Sequence, residues 1–162
     1  MIDRKMLKAL NGQINAELYS WYLYMSMSAW FETVNLHGFA HWMRLQSREE
    51  MSHAMKIYDF VIARGGKAEL AAIDKPDAVW TTPLAAFQAA YKHEVFITSS
   101  IYKLVETAGP LGDHATSSFL KWFVDEQVEE EANADAIVQK LLMAGDNMGA
   151  LMIIDRELAS RS

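Results

Sequence analysis

The sequence predicts an all-α fold: an antiparallel four-helix bundle with one long crossover between the second and third helices, plus a short fifth helix at the C-terminus. Three observations predict it. Proline is confined to Pro76, Pro83 and Pro110, which leaves four long blocks with no internal break. Within each block apolar residues recur at alternating steps of three and four, the pattern of helices packed at a shallow angle. Of the three links between the blocks, two are short and one is long.

The elements follow in order. Helices are expected at about 3–33, 38–64, 83–108, 113–144 and 147–160, with Asp3, Thr82, Asp113 and Asp146 as N-caps and Pro83 in a first helical position. The first seam reads Leu7, Leu10, Ile14, Glu17, Trp21, Tyr24, Ser28, Phe31, and the second Phe39, Met43, Gln46, Glu50, His53, Ile57, Phe60. The third reads Leu84, Phe87, Tyr91, Glu94, Thr98, Ile101, Val105, Ala108, and the fourth Leu120, Phe123, Gln127, Glu130, Ala134, Ile137, Leu141. Links near 35–37 and 109–112 are too short for anything but antiparallel neighbours. A helix as long as the second block measures ~40 Å. The link 65–82, fully extended, reaches up to ~60 Å. It can travel the whole bundle and make the second and third helices parallel. The chain, 1–162, reads as one domain: a bundle over about 3–144 and a short helix over about 147–160.

Composition removes whole classes of function. The absence of cysteine excludes disulfide frameworks, thiolate zinc sites, cysteine-ligated clusters and cysteine nucleophiles. A net charge of −6, from 21 acids against 15 bases, argues against nucleic acid or a membrane surface as partner and favours cations. The longest uncharged apolar stretch, from Leu18 to Phe31, falls short of the ~18 residues a membrane span needs, and three serines interrupt it. No signal-like segment precedes Glu17, so the expected location is the cytoplasm.

All four seams turn polar near the middle of their helices. There the core positions are Glu17 and Tyr24; Gln46, Glu50 and His53; Glu94; Gln127 and Glu130. Midpoints share one height whichever way a helix runs, so these residues should meet in one layer. One polar residue in a seam is ordinarily a satisfied core group or a register device. Four carboxylates with one imidazole are different, because each buried charge costs several kcal/mol unless paired. No Lys or Arg holds a seam position near this layer, so a bound cation is the economical solution. Glu50 and His53 form a Glu-x-x-His pair on the second helix, Gln127 and Glu130 hold the same spacing on the fourth, and Glu17 and Glu94 stand singly. Carboxylate-rich sites with one imidazole and no thiolate suit iron or manganese. Beside the layer, Glu126, Glu129, Glu130 and Glu131 form an acidic run, and Glu49 adjoins Glu50. This flank is either a solvated acidic face or a third, looser cation site.

At these residues the chain resembles the non-haem bacterial and archaeal ferritins over essentially its full length. The segments that carry the resemblance are NAELYSWYLY, QSREEMSHAMKIYDF, YKHEVFIT and LKWFVDEQVEEE. The resemblance implies a ferritin-like subunit assembled into a hollow shell, usually of twenty-four copies. Such a shell would oxidise Fe(II) with dioxygen or peroxide at a dinuclear iron centre and store Fe(III) mineral inside. It implies that Glu17, Glu50, His53 and Glu130 or Glu94 hold the two irons, with Glu50 bridging and Gln127 close by. It further implies that Tyr24 is a redox and hydrogen-bonding neighbour, and that Glu49, Glu126 and Glu129 with Glu130 form a third iron site. Bacterioferritins are similar and bind haem through a methionine that follows the bridging glutamate, the place of Met51 here. They carry Glu-x-x-His on the fourth helix, where this chain has Gln127 and Glu130, so haem is disfavoured. A di-iron oxygenase on the same bundle is the other alternative; it would want an apolar cavity beside the metals, where Trp21, Tyr91 and Phe123 are bulky. The apolar fifth segment, by resemblance, is buried between subunits around a symmetry axis.

Overall fold

The computed structural model, which describes residues 2–162, consists of α1 (Arg4–Thr33), α2 (His37–Ala63), α3 (Pro83–Ala108), α4 (His114–Ala144) and α5 (Met148–Leu158), with no strand among the described residues. Three helix starts form where expected. The Asp3 carboxylate accepts from the Lys5 backbone N–H at 2.7 Å, the Thr82 hydroxyl from Ala85 at 3.0 Å, and the Asp113 carboxylate from Thr116 at 3.1 Å. The fifth start differs by one residue. Gly145 ends α4 at φ +52°, which leaves Asp146 in the turn, and Asn147 becomes the cap, accepting from the Ala150 N–H at 3.0 Å.

The start of α2 has no side-chain cap of its own, because Leu36 stands there. The cap comes from α5: Asp155 Oδ1 accepts from the backbone N–H groups of Gly38 at 2.8 Å and Phe39 at 3.1 Å. A carboxylate at this position satisfies orphan donors and meets the positive end of the helix dipole. A glycine is needed for the approach, since a Cβ on Gly38 would lie 1.7 Å from the Asp155 carbonyl oxygen. Gly38→Ala is therefore expected to cost about 1–3 kcal/mol, seen as a lower thermal unfolding midpoint with the helical circular dichroism signal retained below it. An unchanged midpoint would show that this contact does not tie α5 to the bundle.

Aromatic contacts fix the direction of each helix. Phe87, near the start of α3, packs on Phe31 at the end of α1 and on Phe39 at the start of α2, with ring centroids 5.9 and 5.7 Å away. At the other end Arg64, just after α2, pairs with Asp113, just before α4, at 2.9 Å. So α2 and α3 run parallel, and α1 and α4 run against them. The crossover lies along α1. Asn11 Nδ2 donates to the Lys67 carbonyl at 3.1 Å, Ser26 Oγ donates to that of Asp77 at 2.6 Å, and Trp80 packs on Trp30 with centroids 5.7 Å apart.

The apolar core is split in two. One cluster holds Met27, Phe31, Phe39, Met43, Phe87 and Leu141; the other holds Met6, Leu10, Ile57, Ile101, Leu120 and Phe123. The polar residues of the seams separate them. The seams themselves drift from the strict alternation: Trp21 and Tyr91 are half-buried, Val105 is exposed, and Leu104 is buried in its place. A straight α-helix turns about 20° per heptad away from a 3.5-residue repeat, so the buried face moves off a fixed 3-4 register over a helix this long. The fifth helix packs on α2 and α4. Its Ile154 and Leu158 are buried in the cluster around Phe39, whereas Met148, Met152 and Ile153 face outward. The segment thus buries one stripe against its own bundle and leaves the other face outward, as an amphipathic helix can.

Candidate metal centre

Five side chains from four helices meet in the layer between the two apolar clusters. Glu17 comes from α1, Glu50 and His53 from α2, Glu94 from α3 and Glu130 from α4, and all five are buried. Their oxygen and nitrogen atoms form overlapping groups. In Glu17, Glu50 and His53, one ligand atom of each lies within 4.8 Å of the others; the same holds for Glu50, Glu94 and Glu130. Glu50 is common to both. A third group of the same tightness joins His53, Glu130 and the half-buried Glu126. Within the first, His53 Nδ1 stands 3.4 Å from Glu50 Oε2.

Amides and a phenol hold the carboxylates in place. Gln13 Nε2 donates to Glu17 Oε1 at 2.8 Å. Gln46 Nε2 donates to both Glu50 Oε1, at 3.2 Å, and Glu130 Oε2, at 2.5 Å. Gln127 Nε2 lies 3.2 Å from Glu94 Oε2 and 3.2 Å from Thr98 Oγ1. The Tyr24 hydroxyl donates to Glu94 Oε1. Burial, with the Glu94 charge beside it, pushes the Tyr24 phenol well above its usual range, so it stays a proton donor. Glu17 Oε2 has no hydrogen-bond partner despite being buried, which leaves its lone pairs unused.

The carboxyls themselves resist ionisation. Burial raises Glu17 to about 8, with the Glu50 charge adding to it. Burial raises Glu94 and Glu130 to about 7 and moves Glu50 well upward, where the Glu94 and Glu130 charges reinforce it. Four acids that hold one another's charge off, one orphaned oxygen and one imidazole are a donor set fitted to hard or borderline divalent ions.

On the flank, Glu126 approaches His53 Nε2 at 4.0 Å, Glu129 is exposed, and Glu49 turns to Arg161, 2.6 Å from its guanidinium. The structure thus brings Glu126 to the layer and holds Glu49 on a base. Gln13 and Arg161 were not singled out in the sequence, and Thr98 was read only as a position of the third seam. Gln13 carries a readable signal, four residues before Glu17 on one helix face; Arg161 carries none, since it lies beyond the last periodic segment.

Two helical hairpins joined by one long crossover, with a buried carboxylate–histidine layer between them, define the class of ferritin-like folds. Residues 7–144 match the ferritin-like domain family, and the chain belongs to that family. It is 45% identical over 161 residues to a bacterial non-heme ferritin of Bacteroides fragilis, covering 99% of this chain and 100% of that protein. With a bacterial non-heme ferritin of Staphylococcus aureus it shares 37% identity, covering 100% and 98% of the two chains. Among solved structures, the open pore ferritin of the hyperthermophilic archaeon Archaeoglobus fulgidus superposes with a TM-score of 0.99 at 51% identity, over 100% of this chain and 99% of that one.

Proposed function

We propose that the chain is a non-haem ferritin subunit that stores iron, oxidising Fe(II) within the bundle and keeping the Fe(III) product as mineral inside a shell of many copies. The observation that carries this reading is Glu50, the carboxylate shared by two tight ligand groups. Glu17, Glu50 and His53 would take one Fe(II), and Glu50, Glu94 and Glu130 the other, with Gln127 and Tyr24 holding Glu94 in position. Two Fe(II) ions give up two electrons. With two protons these reduce dioxygen to hydrogen peroxide, or peroxide to water. Glu126, with Glu130 and His53, supports an outer iron position, to which Glu49 and Glu129 would add acidic ligands from its rim.

The exposed Met148, Met152 and Ile153 on α5 offer an apolar face for neighbouring copies, in keeping with a closed assembly, by family twenty-four subunits. No described helix is long and apolar enough to cross a membrane, and a cytoplasmic location fits the reading. Neither a haem-binding variant nor an oxygenase gains a specific observation.

Fe(II) added without oxygen, followed by air, tests the proposal. Storage predicts that each subunit retains many irons in solution, well beyond the two that a dinuclear centre alone holds. Retention of about two per subunit would point to an oxygenase, and retention of none to a purely structural polar layer.

A further inference from the structure

The polar layer has no Lys or Arg in its seams, yet a guanidinium reaches it from far along the chain. Arg161 lies just past α5. Its guanidinium donates to Glu49 Oε2 at 2.6 Å and to Gln46 Oε1 at 3.0 Å, and it sits over the Trp42 ring, 4.5 Å from the centroid. Trp42, Gln46 and Glu49 stand at i, i+4 and i+7, one face of α2. The Arg161 backbone carbonyl lies 2.9 Å from His41 Nε2, so the main chain is tied down where the side chain leaves it.

Two physical consequences follow. A guanidinium has donors only. The Gln46 amide must therefore turn its oxygen to Arg161, which leaves its NH2 to serve Glu50 and Glu130. The guanidinium also places a full positive charge on Glu49, the glutamate next to Glu50 whose own charge acts on Glu130. A cation that takes Glu49 as a ligand has to displace that charge.

We infer that Arg161 is an internal counter-cation for the outer iron position: it holds Glu49 while that position is empty and competes with any cation that arrives there. The inference rests on the iron-site reading of the layer. Because one guanidinium serves Glu49 and Gln46 together, its release also frees the Gln46 amide.

The test is anaerobic Fe(II) titration by isothermal calorimetry on the full-length wild type, Arg161→Gln, Arg161→Lys, Glu49→Gln and the Glu49→Gln/Arg161→Gln double variant. Two tight steps are expected throughout. The third, weaker step should strengthen roughly tenfold in Arg161→Gln, the effect of removing one unit charge at ion-pair distance from a partly solvated site. Arg161→Lys keeps the charge and should stay close to wild type. The double variant should gain nothing over Glu49→Gln. An unchanged or weaker third step in Arg161→Gln, with both tight steps intact, overturns the assignment. So does an equal gain in Arg161→Lys, or a gain that survives the loss of the Glu49 carboxylate. A wild type that binds no Fe(II) at all would overturn the iron-site reading, and this inference with it.

Discussion

Glu50→Gln is expected to slow Fe(II) oxidation by more than ~100-fold while leaving the helices intact. Losing a group that merely supports a metal ligand already costs about 10–100-fold, and Glu50 belongs to both central ligand groups at once. The amide nearly matches the carboxyl in size, so the packing around it need not change. It also removes a charge that burial already disfavours, so the metal-free chain has no reason to unfold. The rate of Fe(III) absorbance after mixing with aerated buffer reads the effect. Glu126→Gln, at the rim, provides the comparison and should lower turnover far less. A Glu50→Gln variant that oxidises iron at the wild-type rate would show that the shared carboxylate is not the bridge.

The second large effect is one of pH on the metal-free protein. Glu17, Glu94 and Glu130 sit at about 8, 7 and 7 in the fold, above the ordinary value of 4.5. A raised folded pKa stabilises the fold in full below about pH 4.5, and that contribution is lost as pH rises through the folded value. The thermal unfolding midpoint of the apo chain should therefore fall between about pH 5 and pH 8 and then level off, for a loss of several kcal/mol. Divalent metal binds the ionised carboxylates and should recover most of the loss at pH 8. Glu17→Gln should flatten the profile and raise the apo midpoint at pH 8. An apo midpoint that is flat or rising across this range would mean that the four carboxyls are not held against ionisation.

The helices, their order and the polar layer were legible in the sequence because each rests on local spacing. Glu17, Glu50, Glu94 and Glu130 interrupt apolar runs at the midpoints of their helices, and a midpoint needs no knowledge of direction. What local spacing cannot carry was lost. Asp155 caps α2 from more than a hundred residues away, and nothing in its own neighbourhood distinguishes it from a surface acid. The inward face of α5 was hidden because its apolar residues run almost continuously, which erases the periodicity that would separate Ile154 from Ile153. Arg161 belongs to the same class: only the docking of α5 brings it to Gln46 and Glu49.

The division of the bundle into two helical hairpins joined by the crossover governs the speed and order of folding. The α1–α2 and α3–α4 pairs are each closed by a short turn, and contacts this close in the chain form early. Each hairpin carries half of the layer: Glu17, Glu50 and His53 on the first, Glu94 and Glu130 on the second. While the hairpins are apart, the four carboxylates remain hydrated and ionise like any surface acid. Their desolvation falls on the late step in which the hairpins close on one another across the crossover. A metal held by Glu50, Glu94 and Glu130 would link the two hairpins directly and would have to be shed before they part. The stability it adds would then appear mainly as slower unfolding, with the rate of folding little changed.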